Sequence, residues 1–91
     1  MKYRSRTEII EMILEATRTG TTKTKIMYKA YLSYTQVKEY LSFMSENELI
    51  EYEEGSHVYR TTEKGLHFLR AYGQISEIMI PKLGGNALSK I

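Results

Sequence analysis

Apolar and polar residues alternate with the period of an α-helix in the segment that follows Ser33. The apolar residues form one stripe, and polar residues occupy the opposite face of the predicted helix. Ser33 and Gln36 have capping-box spacing, in which the serine hydroxyl accepts a backbone N–H bond and the glutamine side chain reaches back to the cap. The pattern predicts a helix that buries Val37, Tyr40, Leu41 and Met44.

A second, shorter helix is predicted immediately upstream. Thr22 or Thr24 can cap its start, and Ile26 and Ala30 then face the same interior as the stripe. Residues 31–32 remain as a short turn between the two helices. Two short helices that are tightly joined and cross on a common core form a helix-turn-helix unit.

The N-terminal segment carries the signals of a further helix. Ser5 and Glu8 form another capping box. Gly20 is placed to end this helix, because glycine adopts the left-handed C-terminal conformation without strain. The apolar face of the helix would consist of Ile9, Ile10, Ile13 and Leu14.

A β-hairpin is predicted after the helix-turn-helix, with Asn47 as the terminator of the preceding helix. Residues that favour β-strands lie on both sides of Gly55, which is typical of a hairpin turn. Thr62 then caps a last helix, with Glu63 in its first turn, where the helix dipole favours negative charge. The order of elements predicts a mainly α fold with a small β-hairpin (α+β), a winged helix-turn-helix with an extended C-terminal helix.

The last helix has two apolar stripes. Leu66 and Leu69 can close the core, whereas a second stripe has the 4-3-4 spacing of a heptad seam and consists of Phe68, Tyr72, Ile75 and Met79. One small domain cannot easily cover both stripes, so we expect the second to pair two copies of the chain as a homodimer. The alternative is that it folds back against the first helix. Pro81 is expected to end the helix, which gives a domain of residues 1–80 and a mobile tail of residues 81–91.

Length and composition fit one small domain. The chain has 91 residues and no cysteine, which excludes disulfides, thiolate metal sites and thiol nucleophiles. No apolar run approaches the roughly 18 residues needed to span a bilayer, and the N-terminus lacks the apolar region of a signal peptide. We therefore expect a soluble, cytoplasmic protein with no membrane partner.

The formal net charge of +2 is unevenly distributed along the chain. Residues 1–45 carry eight Lys or Arg against four Glu, residues 46–63 carry six Glu against Arg60, and residues 64–91 carry four Lys or Arg against Glu77. Positive charge is thus concentrated on the helix-turn-helix and near both ends of the chain, and negative charge on the hairpin. The electrostatic field of such an uneven charge distribution can orient a molecule on a polyanion. The alternative is that charges of both signs simply solvate a small surface.

A family resemblance is carried by the run TKTKIMYKAYLSYTQVKEYL, the hairpin after it, and the later run TTEKGLHFL. The region of about residues 2–72 closely resembles archaeal winged-helix proteins that act as small transcriptional regulators or dimeric chromatin-type DNA-binding proteins. The resemblance implies double-stranded DNA binding without a cofactor and, in chromatin-type members, pairing through the last helix. The chain departs from the family in having Glu48 where glycine is common before the first wing strand. It also has Glu53 and Glu54 beside the wing tip, where many members place a basic residue.

Docking of the second helix of the helix-turn-helix in a major groove would bring its first turn near base edges or phosphates. That turn contains Ser33, Tyr34, Thr35 and Gln36. Gln36 can pair with adenine, and Lys38 with guanine or phosphate. The alternative role of Ser33 and Gln36 is that of helix caps only.

Contacts to the DNA backbone are expected from basic residues outside that turn, and such contacts position a protein without specifying sequence. The candidates on the helix-turn-helix are Lys23, Lys25 and Lys29. Lys2, Arg4 and Arg6 form a basic N-terminal arm, and Arg60 is the cation of the wing. Tyr28 and Tyr34 are further candidates, because their hydroxyls can donate to phosphate.

Two other classes of function compete with DNA binding. An enzyme is disfavoured because the chain has no Asp, no Cys and only two His residues, His57 and His67, and it lacks a glycine-rich phosphate loop. We expect no catalysis, metal or cofactor. A winged helix used for protein contact, as an accessory subunit of transcription or replication machinery, is favoured by the acidic wing and by Phe43, which lies outside the apolar stripe.

Overall fold

The computed structural model describes residues 4–83, with side chains described as far as Gln74. The elements are four helices and one antiparallel hairpin: α1 Arg6–Ala16, α2 Lys23–Lys29, α3 Tyr34–Glu46, β1 Ile50–Glu53, β2 Val58–Thr61 and α4 Glu63–Leu83. This order is that of a winged helix and confirms the predicted α+β fold.

Local capping starts the helices where the sequence predicted. The backbone N–H of Glu8 donates to Ser5 Oγ over 3.0 Å, and the N–H of Ser5 donates to the Glu8 carboxylate over 2.9 Å. The N–H of Gln36 likewise donates to Ser33 Oγ over 3.1 Å, and the N–H of Ser33 donates to Gln36 Oε1 over 2.9 Å. At α2, Thr22 is the cap. Each start therefore rests on residues within three positions of one another.

The prediction that Gly20 ends α1 is wrong. The helix ends at Ala16, and the buried residue Thr17 forms its C-cap. The Thr17 hydroxyl donates to the Ile13 carbonyl over 2.9 Å and lies 2.6 Å from the hydroxyl of Thr61 in β2. These bonds occupy the end of the helix three residues before the glycine. Gly20 has a φ of +88° in the turn that follows.

Two residues other than glycine hold left-handed conformations at helix ends. Tyr31, with φ +54°, follows α2, and Glu48, with φ +62°, follows α3. After α3, the N–H of Leu49 donates to the Met44 carbonyl over 2.8 Å, and the N–H of Glu48 donates to the Ser45 carbonyl over 3.0 Å. These are the two bonds of a Schellman motif. Glu48 therefore adopts the backbone conformation that glycine would favour at this position.

The hairpin pairs Ile50 with Thr61 and Glu53 with Val58. Thr21 forms an isolated bridge with Tyr59, through backbone bonds of 3.0 and 2.8 Å. Thr21 thereby ties the turn after α1 to the second strand of the hairpin. The hairpin turn lies where Gly55 indicated, but the residue with a positive φ (+59°) is His57.

The core lies between α1, α2, α3 and the start of β1. Its fully enclosed members come from three helices and include Ile13, Leu14, Ile26, Val37 and Met44. Phe68 and Leu69 of α4 pack against this cluster from one side. The predicted apolar faces of the first three helices are therefore confirmed.

The prediction that Pro81 ends α4 is wrong, because the helix continues to Leu83. The φ of proline is fixed near −65°, which is a helical value, so the backbone can continue through it with the loss of one hydrogen bond. The remainder of the predicted tail, residues 84–91, lies outside the described residues. Between residues 4 and 83, no helix is both long and apolar enough to cross a bilayer.

Candidate nucleic-acid interface

The outer face of α3 is polar and exposed. It presents Thr35, Gln36, Lys38, Glu39 and Ser42, while the opposite stripe is buried. Gln36 Oε1 and Ser33 Oγ both accept hydrogen bonds in the capping box, as expected if these residues serve as helix caps. The amide nitrogen of Gln36 remains a donor that can face a base edge.

Tyr34 brings together two lysines from different helices. Lys23 Nζ of α2 lies 4.9 Å from the centroid of the Tyr34 ring, and Lys38 Nζ of α3 lies 5.5 Å from it. Both distances are within the range of a cation–π interaction. The Tyr34 side chain is 57% exposed. Three of the predicted DNA-contacting residues therefore form one cluster at the junction of the two helices.

The same two lysines line a groove of about 400 Å³ between α3 and the hairpin. Its other polar lining comes from Ser42, Ser45, Glu46 and Tyr59. Ser45 and Tyr59 were not predicted as site residues. Ser45 lies one turn after Ser42 on α3, and only the tertiary structure places Tyr59 of β2 beside them. The groove continues the exposed face of α3 towards the hairpin.

Lys25 and Lys29 lie apart from this cluster. They are four residues apart in α2 and share a helix face, whereas Lys23 is about 160° from Lys25 around the axis. Lys29 lines a second, shallow groove of about 280 Å³ together with Glu11 and Glu15 of α1. Partial burial, and then repulsion from Glu15 and Glu8, raises the pKa of Glu11. The three lysines of α2 therefore do not form one surface.

Two residues of the predicted basic N-terminal arm, Arg4 and Arg6, contact the domain, and Arg6 is the first residue of α1. Arg4 donates to the carbonyl oxygens of Ala30 and of Tyr31, the latter over 3.0 Å, at the C-terminal end of α2. The Arg6 guanidinium lies 5.2 Å from the ring centroid of Tyr40 and is also close to the Phe43 ring. Helix carbonyls and aromatic faces attract these cations because both carry partial negative charge. Lys2 lies outside the described residues.

Arg60 forms an ion pair within the wing. Its Nε donates to Glu53 Oε2 over 2.5 Å, and a second nitrogen donates to Glu53 Oε1 over 3.3 Å. The hydrogen bonds from Arg60, with a further bond from Ser56, hold the pKa of the Glu53 carboxyl below its usual value. The hydrogen bonds to Glu53 in turn raise the pKa of Arg60. Only Arg60 was predicted as a site residue in this wing. The positive charge of Arg60 is neutralised by the Glu53 carboxylate.

The structure describes the side chains of two of the four predicted dimer residues, Phe68 and Tyr72. Phe68 packs against the core of its own chain, as the folding-back alternative supposed for this stripe. Tyr72 is half-buried and stacks on Phe68, with ring centroids 6.5 Å apart and an interplanar angle of 6°. Ile75 and Met79 lie beyond the residues whose side chains the structure describes. Among the described residues, no cluster of three or more His, Asp or Glu side chains is arranged to hold a metal ion.

Comparison with known families agrees with this geometry. Residues 3–80 match the winged helix-turn-helix family. The chain belongs to that family. No curated protein matches the sequence closely enough to count as a relative. A winged helix-turn-helix is in general a DNA-binding domain that places its second helix-turn-helix helix in the major groove, and here that helix is α3.

Proposed function

We propose that this protein binds duplex DNA as a small transcriptional regulator or chromatin-type protein of the kind that its sequence resembles. The observation that carries the proposal is the cluster of Lys23, Tyr34 and Lys38 beside the polar outer face of α3. Cations at the edge of a groove-entering helix neutralise phosphates. No catalytic step or cofactor is part of the proposal.

In the proposed complex, α3 enters the major groove with Thr35, Gln36 and Ser42 towards the bases. Gln36 retains its amide donor after capping, and the hydroxyls of Thr35 and Ser42 can donate or accept. The lysines at the rim then contact the backbone. The paired Arg60 contributes less, because Glu53 already neutralises its charge.

Pairing of two copies through α4 is the second part of the proposal. The helix has 21 residues, which corresponds to about 31 Å, and Phe68 packs against the core near its beginning. The seam continues beyond the core through Tyr72, Ile75 and Met79 in the sequence. A two-fold pair would double the contacts on DNA at half-sites separated by about 34 Å or a multiple of it.

A fluorescence-anisotropy titration with random duplex and single-stranded DNA at several salt concentrations tests the binding proposal. We expect the logarithm of the affinity to fall linearly with the logarithm of the salt concentration, with a slope of about −0.9 per neutralised phosphate. Single-stranded DNA should bind more weakly, because the proposed contacts follow duplex geometry. Micromolar protein that fails to bind any duplex at low salt would refute the proposal.

A protein-contact module is the second candidate, favoured by two observations. The wing carries Glu51, Glu53 and Glu54, and Phe43 is 39% exposed on α3. An acidic hairpin and an exposed aromatic ring suit a basic protein partner better than phosphate. This candidate gains support if the titration shows no duplex binding.

A further inference from the structure

We propose that Tyr34 is a positioning residue that holds Lys23 and Lys38 as a two-lysine clamp for the phosphodiester backbone of duplex DNA. The inference rests on the proposed function and identifies which ligand atoms this part of the interface takes. It assigns Lys38 to phosphate and not to guanine. The hydroxyl of Tyr34 has no required role, because the ring face alone positions the lysines.

The distances limit how far apart the two cations can lie. Lys23 Nζ is 4.9 Å and Lys38 Nζ is 5.5 Å from one ring centroid, and these distances add to 10.4 Å, the largest possible separation of the nitrogens. Phosphates of one strand follow one another at about 3.4 Å along the helix axis. Because the backbone also winds around the axis, consecutive phosphates lie farther apart in space than this rise, and the pair fits neighbouring phosphates of one strand.

The ring reduces two costs of binding. Two ammonium groups this close repel each other, and each long side chain loses rotamer freedom when it is fixed on a ligand. The negative face of an aromatic ring attracts both cations and restricts them before DNA arrives. Such preorganisation increases affinity without adding a contact to the ligand.

The location of the clamp favours the backbone over the bases. Lys38 is four residues after Tyr34 in α3, so its ammonium reaches back towards the start of the helix. There it meets Lys23, the first residue of α2. In helix-turn-helix docking the first helix crosses the DNA backbone. Glu46, which lines the same groove, is eight residues from Lys38, or about 12 Å along the helix.

A set of variants tests the clamp by duplex binding. Tyr34→Leu should weaken binding roughly three- to tenfold on every duplex sequence, because two exposed cation–π interactions are lost. Tyr34→Phe, which keeps the ring, should bind as the wild type does. In a Lys23→Ala, Lys38→Ala background, Tyr34→Leu should have no further effect. Thermal denaturation checks that each variant is folded.

A measurement without DNA examines the ring contact directly. Protons held over an aromatic face are shifted upfield in NMR spectra, so the lysine ε-methylene resonances of Lys23 and Lys38 should move downfield in Tyr34→Leu. Tyr28→Leu is the matched control, because Tyr28 is 69% exposed on the same helix-turn-helix. Removal of that ring should leave both lysine resonances in place.

Four results would overturn the clamp. If wild type binds duplex and Tyr34→Leu binds equally well, the ring does not position the lysines, although the proposed function stands. If Tyr34→Phe loses as much affinity as Tyr34→Leu, the hydroxyl itself contacts DNA. If the loss is confined to particular sequences, Lys38 reads bases. If wild type binds no duplex at all, the proposed function fails together with the clamp.

Discussion

At the scale of single residues, Gly65 shows how closely α4 approaches the rest of the domain. A Cβ placed on Gly65 would clash with the carbonyl oxygen of Leu49 and would lie 2.6 Å from the Thr61 Cγ2 atom and 2.9 Å from the Leu14 Cδ2 atom. Backbone cannot move aside as a flexible side chain can. Thr62 fixes the same junction, because its hydroxyl donates to the Glu48 carbonyl over 2.6 Å and accepts from the N–H of Gly65.

We expect Gly65→Ala to lower the free energy of unfolding by about 2 kcal/mol, the cost of overpacking a tight contact. Gly73→Ala is the matched control in the same helix, because a Cβ at Gly73 meets no described atom within 4 Å. That change should raise the free energy of unfolding by up to about 1 kcal/mol, since alanine favours helix. Urea denaturation of both variants measures the contrast. Equal effects of the two substitutions would show that α4 does not approach the Leu49 carbonyl in this way.

At the scale of elements, the wing differs from the basic wing expected of many family members. Glu53 and Arg60 pair across the two strands, and the rings of Tyr52 and Tyr59 lie 4.9 Å apart. Tyr52 also meets the ring of His57 through its hydroxyl, over 2.8 Å. The hairpin is thus held by its own side chains, and the cation that could grip phosphate is committed to a carboxylate.

Arg60→Gln should raise the pKa of Glu53 towards its ordinary value, because the main hydrogen-bond donor to the carboxylate is lost. In the wild type the pKa of this carboxyl is lower in the folded than in the unfolded chain. The ion pair therefore stabilises the fold above the unfolded pKa, and that contribution is lost as the pH falls through the folded pKa. Carbon-13 NMR titration of the glutamate carboxyls measures the shift.

Arg18→Gln is the control for that titration. Arg18 pairs with Glu15 at 3.5 Å on α1, so its loss should leave the Glu53 titration unchanged. If Arg60→Gln also leaves the Glu53 curve in place, the ion pair is not formed in solution.

At the scale of the whole molecule, the proposed homodimer is tested by Ile75→Glu. A charge in the middle of the second stripe would be costly to bury without a partner, so we expect a folded monomer with weakened DNA binding. Gln74→Glu is the control, because Gln74 is exposed on the same turn and should leave the dimer intact. Sedimentation equilibrium measures the oligomeric state of the wild type and of both variants. Wild type that is monomeric at tens of micromolar would refute the dimer, and a variant that unfolds would place Ile75 in the core of one chain.

Much of the fold was determined by short-range signals in the sequence. The capping boxes at Ser5 and Ser33, the apolar stripe of α3 and the hairpin turn around Gly55 each depend on residues within a few positions of one another. Side chains three or four residues apart are neighbours on any helix, so their chemistry can be inferred before the fold is known. The order of these elements was then sufficient to predict a winged helix.

Tertiary structure alone decided which distant residues meet. At the end of α1, the Thr17 carbonyl accepts from the backbone N–H of Thr61 over 2.9 Å and the two hydroxyls lie 2.6 Å apart, although 44 residues separate them in the chain. Arg4 donates to the carbonyl oxygens of Ala30 and Tyr31. Lys23 reaches the ring of Tyr34 only because α2 and α3 cross at their shared turn. Contacts of this kind depend on how helices pack, and no local spacing encodes that packing. The candidate residues were therefore visible in the sequence, but their grouping into a lysine–tyrosine cluster, a helix-end contact and an ion pair was not.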